Sequence, residues 1–320
     1  MKTISDIIGP ELKEFEAKFS EAVKSNTPLL DTVMRYIIER KGKQMRPMFV
    51  FLCAKLHGNV TESTHRAAAL VEMLHTATLV HDDVVDEAME RRGFFSINAI
   101  WKNKIAVLVG DYLLSKGLLL STNNNEFEHL RILSDAIRQM SEGELLQIEK
   151  TRKLNIDEAV YFEIIKNKTA SLLSSACGVG AYSSTQSKEI CATMQLFGEK
   201  TGIAFQIKDD LFDYGTANVG KPTGNDIKEK KMTLPLIYTL NNVDKATRKE
   251  IIYIVKNNNK DKQKVQWVID TVEKTGGIAY ATEKMFAYRD EALAILHKYP
   301  DSPVRNALEE LVRYTTDRKL

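Results

Sequence analysis

An all-α fold follows from three features of the sequence. Only seven prolines and sixteen glycines interrupt 320 residues. Nearly every segment between these breakers carries apolar side chains three and four positions apart, the spacing that lines one face of a helix. No run alternates apolar and polar residues as a half-buried strand would. With 43% apolar side chains, the chain can bury one substantial core, and it reads as a single domain over residues 1–320, one large helical bundle.

Pro10 suits a first helical position, after which Leu12, Phe15, Phe19 and Val23 mark one face of an opening amphipathic helix. Helical periodicity continues over 29–40, 46–57, 64–88, 96–101, 105–121 and 126–149. It resumes over 157–183 and 187–214, then over 233–241, 246–257, 261–275, 278–297 and 302–317. Turns fall at Asn123–Asn125, Asn257–Asn259, Gly276–Gly277 and Tyr299–Pro303, none long enough to link independent domains.

Composition excludes several classes. Lys and Arg total 45 against 43 Asp and Glu, a formal charge of +2, so bulk electrostatics do not favour nucleic acid. Cys53, Cys177 and Cys191 are too scattered for a disulfide framework or a cysteine zinc site and read as buried, reduced thiols. The N-terminus lacks the apolar core of a signal peptide. The most apolar stretches, IAVLVG and LLSKGLLL, are short or broken by Lys116, so no transmembrane segment is expected and the protein is placed in the cytoplasm.

One short pattern occurs twice. TLVHDDVVDEAMERRG contains Asp82, Asp83 and Asp86, and AFQIKDDLFDYG contains Asp209, Asp210 and Asp213. On a helix, positions i and i+4 lie about 40° apart and i+1 about 100° away, so each triplet is expected to crowd one face. Two such charges about 4 Å apart repel by roughly 4 kcal/mol at an effective dielectric near 20. A cation relieves this, and hard carboxylate oxygens with positions left for water and phosphate suit Mg²⁺. A single such cluster would read as a solvated helix face, but both are flanked by Leu, Val, Ile and Phe.

The basic residues suggest what the metal is for. Arg91 and Arg92 follow the first cluster, and Lys221 and Lys231 follow the second. GKQMRP offers Lys43 and Arg46, and KNKTAS offers Lys168 and Thr169. Arginine and lysine beside carboxylate-bound Mg²⁺ make a diphosphate site. His75 precedes Asp82 by seven residues, about 20° short of two full turns, and is a plausible donor to a phosphate oxygen from the same side.

Taken together these residues resemble the trans-isoprenyl diphosphate synthases, the family of farnesyl, geranylgeranyl and longer polyprenyl diphosphate synthases, of the long-chain type such as octaprenyl diphosphate synthase. The landmarks are GKQMRP (42–47), HDDVVDEAMERRG (81–93), GDYL (110–113), KTA (168–170), FQIKDDLFDYG (205–215) and GKPTGNDIKEKK (220–231). The resemblance implies an isoprenoid synthase bundle around a central cavity. Asp82, Asp83, Asp86, Asp209, Asp210 and Asp213 would hold three Mg²⁺ ions that grip an allylic diphosphate, such as farnesyl diphosphate, from two facing helices. Arg91, Lys168 and Lys221 would neutralise that diphosphate, with Thr169, Gln206 and Lys231 nearby. Lys43, Arg46, His75 and Arg92 would hold isopentenyl diphosphate. Asp82, Asp86, Asp209, Lys168 and Arg91 would carry the catalysis. The first motif lacks the family's doubled glycine and extra arginine, and Phe205 serves either the allylic tail or the core. A homodimer is also implied.

The implied chemistry suits the inventory. Ionising an allylic C–O bond needs stabilisation of departing diphosphate, which Mg²⁺, Arg and Lys supply. The isopentenyl double bond attacks the cation, and diphosphate accepts the released proton. In this family bulky aromatics just upstream of the first acidic motif stop chain growth, and here those positions are Ala77 and Thr78. No aromatic occurs from Ala67 to His81, about 20 Å of helix, so a product longer than twenty carbons is expected. Tyr112, Leu118 or Leu119 are alternatives for closing the cavity floor, and Arg318 and Lys319 for covering its mouth. Rival readings are a short-chain synthase, a terpene cyclase, a non-catalytic partner subunit, and an HD-type phosphohydrolase using His65, His75 and His81-Asp82.

Overall fold

The computed structural model describes residues 2–40, 42–91, 93–154, 157–215 and 224–317. Among them the elements are α1 (Lys2–Ala22), α2 (Pro28–Glu39), α3 (Met45–His57), α4 (Glu62–Val85), β1 (Glu90–Arg91), β2 (Phe94–Phe95), α5 (Ile97–Thr122) and α6 (Phe127–Lys153). Then come α7 (Glu158–Ile165), α8 (Ser171–Thr185), α9 (Lys188–Leu211), α10 (Asn225–Lys228), α11 (Leu234–Asn242), α12 (Lys245–Asn257), α13 (Lys262–Thr275), α14 (Gly277–Leu296) and α15 (Pro303–Thr316). The architecture is all-α, as the periodicity predicts.

Two compact units emerge from the contacts: Met1–Ile137 with Ser175–Gln195 and Asp301–Leu308, and Arg138–Ser174 with Leu196–Pro300 and Glu309–Leu320. Neither is continuous in sequence, because α6, α8, α9 and α15 each contribute to both.

In the first unit, α1 begins eight residues before Pro10 and carries it internally. The expectation of a start at Pro10 fails because Ile4 and Ile8 are buried, and their burial offsets the hydrogen bond that the proline forfeits. Pro28 opens α2, and a reciprocal Thr61–Thr64 capping box opens α4. α5 packs closely along α4. A β-carbon on Gly110 would lie 2.1 Å from His81 Nε2, so a larger residue there would have to displace that ring.

α4 ends at Val85, three residues short of the expected Ala88. Glu87 adopts a positive φ of 51°, and Asn98 Nδ2 donates to the carbonyls of Asp83 and Ala88 at 3.1 Å, fixing the turn. The antiparallel β1–β2 ribbon that follows pairs Arg91 with Phe94 and Glu90 with Phe95, too short to be seen as an alternating pattern.

The two helices expected over 96–101 and 105–121 form α5, interrupted at Lys102, whose φ of 72° is non-helical. By length and composition α5 is long and apolar enough to cross a bilayer, although Asp111 and Lys116 interrupt its apolar run. Val107, Leu108, Leu118 and Leu119 form an exposed apolar stripe on it.

In the second unit, Ile203, Ala204, Ile207 and Leu211 of α9 join Leu236 and Ile237 of α11, Val268 and Val272 of α13, and Met285 of α14 in one apolar cluster. The segment expected as one helix over 157–183 is instead α7, a π-helical turn at Lys166–Ala170, and α8. Gly202 lets α9 press against that turn: a β-carbon there would lie 2.6 Å from Ala170 Cα.

Candidate active site

Both aspartate triplets stand at helix C-termini, the negative end of the helix dipole, where acids are least favoured. Asp82 and Asp83 occupy the last turn of α4, Asp86 caps it, and no basic residue shares that turn. Asp82 is half-buried and Asp86 exposed, whereas Asp83 is 3% exposed. Its Oδ1 accepts from both Arg91 Nε and Nη2 at 2.7 Å. The three carboxylates therefore do not share one face as the spacing suggested. Asp86 is exposed, while Asp83 and Arg91 pin the ribbon to α4.

Arg46 lies in the first turn of α3, which holds no acid, so helix dipole and guanidinium both favour an anion. Arg46 Nη1 donates to His75 Nε2 at 2.9 Å, so that ring nitrogen accepts from the arginine. Lys43 lies in the preceding loop. Arg92 and Lys221, expected to bind the two diphosphates, lie outside the described residues, as do Arg318 and Lys319.

The second triplet spans the end of α9 and the 3₁₀ turn Phe212–Tyr214. Asp209 is exposed and Asp210 buried. Asp210 accepts from Tyr161 OH at 2.7 Å and Gln206 Nε2 at 2.9 Å, and Gln206 Oε1 accepts from Thr169 Oγ1 at 2.8 Å. Asp213 accepts from the backbone N–H groups of Asn225 and Asp226, at 2.7 and 3.0 Å, and so caps α10.

A cavity of about 190 Å³ is lined by Lys168, Thr169, Gln206, Asp210, Asp226 and Lys231, together with Tyr161 and Thr151. The π-helical turn carries Lys168 and Thr169, and such bulges recur at functional sites. Lys168 pairs with Glu144, and Lys231 Nζ lies 2.5 Å from Glu229 Oε2 and 4.0 Å from Asp226 Oδ1. Thr151 Oγ1 is buried without a hydrogen-bond partner among the described residues.

Burial pushes the Asp210 carboxyl up to about 6 despite its hydrogen bonds. Burial and the Asp210 and Asp213 charges push Asp226 up to about 7. Sequence reasoning missed Asp226. Its only signal was an acid directly after the Gly-Asn of GKPTGND, in a segment with no strong periodicity.

The chain-length positions are placed as follows. Ala77 is fully buried and Thr78 Oγ1 donates to the His75 carbonyl. Tyr112 OH donates to the Lys24 carbonyl at 2.6 Å, and Leu118 and Leu119 are 48% and 54% exposed, so none of these three closes a cavity floor. Phe205 is half-buried. The three histidines of the phosphohydrolase reading do not converge. His65 is held near Glu14 and Phe51, His75 by Arg46, and His81 by the Val107 carbonyl.

Comparison with known proteins identifies the family. The polyprenyl synthetase family model matches residues 27–272. The all-trans-nonaprenyl-diphosphate synthase (geranyl-diphosphate specific) of Rhodobacter capsulatus is 34% identical, over 98% of this chain and 97% of that protein. A polyprenyl synthase from Caulobacter crescentus, solved with calcium and isoprenyl diphosphate, is 30% identical with a TM-score of 0.91, covering 100% of this chain and 98% of that one. A geranylgeranyl pyrophosphate synthase from Bacteroides thetaiotaomicron is 39% identical with a TM-score of 0.82, covering 99% and 98%. With more than half its length matched and its acidic, basic and amide side chains set around such a cavity, the chain belongs to the polyprenyl synthetase family and is a prenyltransferase.

Proposed function

We propose that this enzyme condenses an allylic diphosphate, such as farnesyl diphosphate, with successive isopentenyl diphosphates to give an all-trans polyprenyl diphosphate longer than twenty carbons. The observation that carries the reading is the cavity around Asp210, where Lys168, Thr169, Gln206 and Lys231 surround carboxylates that burial leaves poorly compensated. The donor set suits Mg²⁺: hard carboxylates at two helix C-termini, with one member of each triplet exposed. Asp82, Asp86 and Asp209 would hold three such ions, with Asp83, Asp210 and Asp213 supporting them. Bound there, the metal supplies electrostatic stabilisation of a departing diphosphate.

The chain's own residues divide the remaining work. Lys168, Thr169 and Lys231, with Arg91 and Lys221, would bind the allylic diphosphate. Lys43, Arg46 and Arg92 would bind isopentenyl diphosphate, with His75 orienting Arg46. The small Ala77 and Thr78 leave the growing tail room. Purified protein given Mg²⁺, farnesyl diphosphate and labelled isopentenyl diphosphate is expected to yield a labelled lipid whose dephosphorylated alcohol exceeds twenty carbons. No labelled lipid from folded protein would refute the enzyme reading, and a product of twenty carbons would refute only the length.

Metal and pH are linked. Stability gained by keeping Asp210 and Asp226 protonated is present in full below the ordinary value of 3.8 and is lost as pH rises through about 6 and about 7. Mg²⁺ is therefore expected to raise Tm more at pH 8 than at pH 5. Equal shifts would count against metal binding at these carboxylates.

A cytoplasmic homodimer without a membrane-spanning segment, folding as one domain, completes the proposal. Three unpaired, buried cysteines suit a reducing compartment. The Val107, Leu108, Leu118 and Leu119 stripe suits an isologous interface. Leu118→Lys combined with Leu119→Lys is expected to give a monomer in sedimentation equilibrium; a persisting dimer would place the interface elsewhere.

A further inference from the structure

We propose that Arg40 is an additional binding residue for the diphosphate of isopentenyl diphosphate, an inference that rests on the reaction proposed above. Arg40 follows the last turn of α2 and lines, with Gln44, His75 and Arg91, a cavity of about 110 Å³ within the first unit. Its guanidinium carbon lies 3.6 Å from the centroid of the Tyr36 ring and 5.2 Å from that of Phe94.

That aromatic platform is itself fixed. Tyr36 OH donates to the Phe95 carbonyl at 2.6 Å, and its ring meets Trp101 edge-on at 5.1 Å. Stacking holds a guanidinium flat while leaving its in-plane N–H groups to read an anion.

Those groups are underused. Nη1 donates to the Tyr36 carbonyl at 3.3 Å and lies 3.6 Å from the largely exposed carboxylate of Glu39. Nε is buried with no hydrogen-bond partner among the described residues. A buried donor of this kind in a cavity wall is the sort of group that a ligand oxygen satisfies.

Phe19, Ile37, Ile38, Leu79, Val80 and Ile97 make much of the wall apolar, and the basic groups gather on one side of it. The wall includes His75, which holds Arg46, and the cavity adjoins the loop bearing Lys43 and leading into the acid-free first turn of α3. Gln44, at φ 52° in the N-cap of that helix, brings no charge of its own. The cavity's acids are engaged: Asp83 by Arg91, and Glu16 and Glu72 in interactions of their own.

The test is steady-state kinetics with each substrate varied, supported by calorimetric titration of isopentenyl diphosphate without an allylic partner. Arg40→Gln is expected to raise KM and Kd for isopentenyl diphosphate about tenfold or more, as for a lost charge-assisted contact, and to leave KM for farnesyl diphosphate within about twofold. Arg40→Lys keeps the charge but not the planar fork and should recover part of the loss. A role limited to packing on Tyr36 would lower Tm and move both KM values together, or neither, in both variants, and that result would overturn the assignment. Wild-type protein without turnover would instead sink the reaction, whereas active wild-type protein with an unaltered Arg40→Gln variant would sink only this inference.

Discussion

Asp82→Ala is expected to reduce kcat by about a thousandfold or more, because a metal ligand acts on charge that develops only as diphosphate departs. Asp82 is one of three acids crowding the C-terminal end of α4 with no basic residue in the last turn. Asp83→Ala makes the informative contrast. It deletes the buried acceptor of two Arg91 hydrogen bonds and strands that guanidinium, at a stability cost of about 2–3 kcal/mol. Thermal melts and kcat on both variants separate the roles. An Asp82→Ala enzyme that keeps full activity would contradict the assignment.

Ala77→Tyr should have the second large effect, shortening the product from more than twenty carbons to twenty or fewer. Ala77 precedes Asp82 by five residues, about 7.5 Å along α4, so an aromatic ring at that depth obstructs the tail after few condensations. The position is fully buried, and overpacking there would cost about 1–3 kcal/mol if the ring met core instead of cavity. Chromatography of dephosphorylated products, read beside a thermal melt, distinguishes the two. A shorter product with little change in Tm supports the tail's course along α4. An unchanged product in a folded variant would show that the tail runs elsewhere.

Apolar periodicity made the helices legible, since each one buries a stripe spaced for a helix. It failed where tertiary packing overruled local preference. Pro10 lies inside α1 because Ile4 and Ile8 are drawn into the core. The π-helical turn at Lys166–Ala170 leaves no mark on apolar spacing, yet it carries Lys168 and Thr169 to the cavity, and Gly202 makes room for it. The ribbon after α4 is set by side-chain bonds from Asn98 and Arg91 that no periodicity encodes.

The site was legible as an inventory and less so as geometry. Repeated Asp-Asp-x-x-Asp pointed to the proposed metal chemistry, but spacing alone gave the three acids of a triplet equal standing. Burial separates them: Asp83 belongs to Arg91, Asp210 to Tyr161 and Gln206, and Asp213 to the N-terminus of α10. Asp226 escaped notice because a lone acid in a loop acquires meaning only when folding places it in the cavity with Asp210.

Under the proposed reaction both triplets would serve one diphosphate through shared divalent metal. Calorimetric titration of inorganic pyrophosphate in the presence of Mg²⁺, on wild-type protein, Asp82→Ala, Asp209→Ala and the double variant, tests it most directly. One shared centre predicts that each single substitution removes most of the Mg²⁺-dependent binding and that the double variant loses little more than either. Two separate binding events, or losses that simply add, would show that the triplets work apart and would contradict the account.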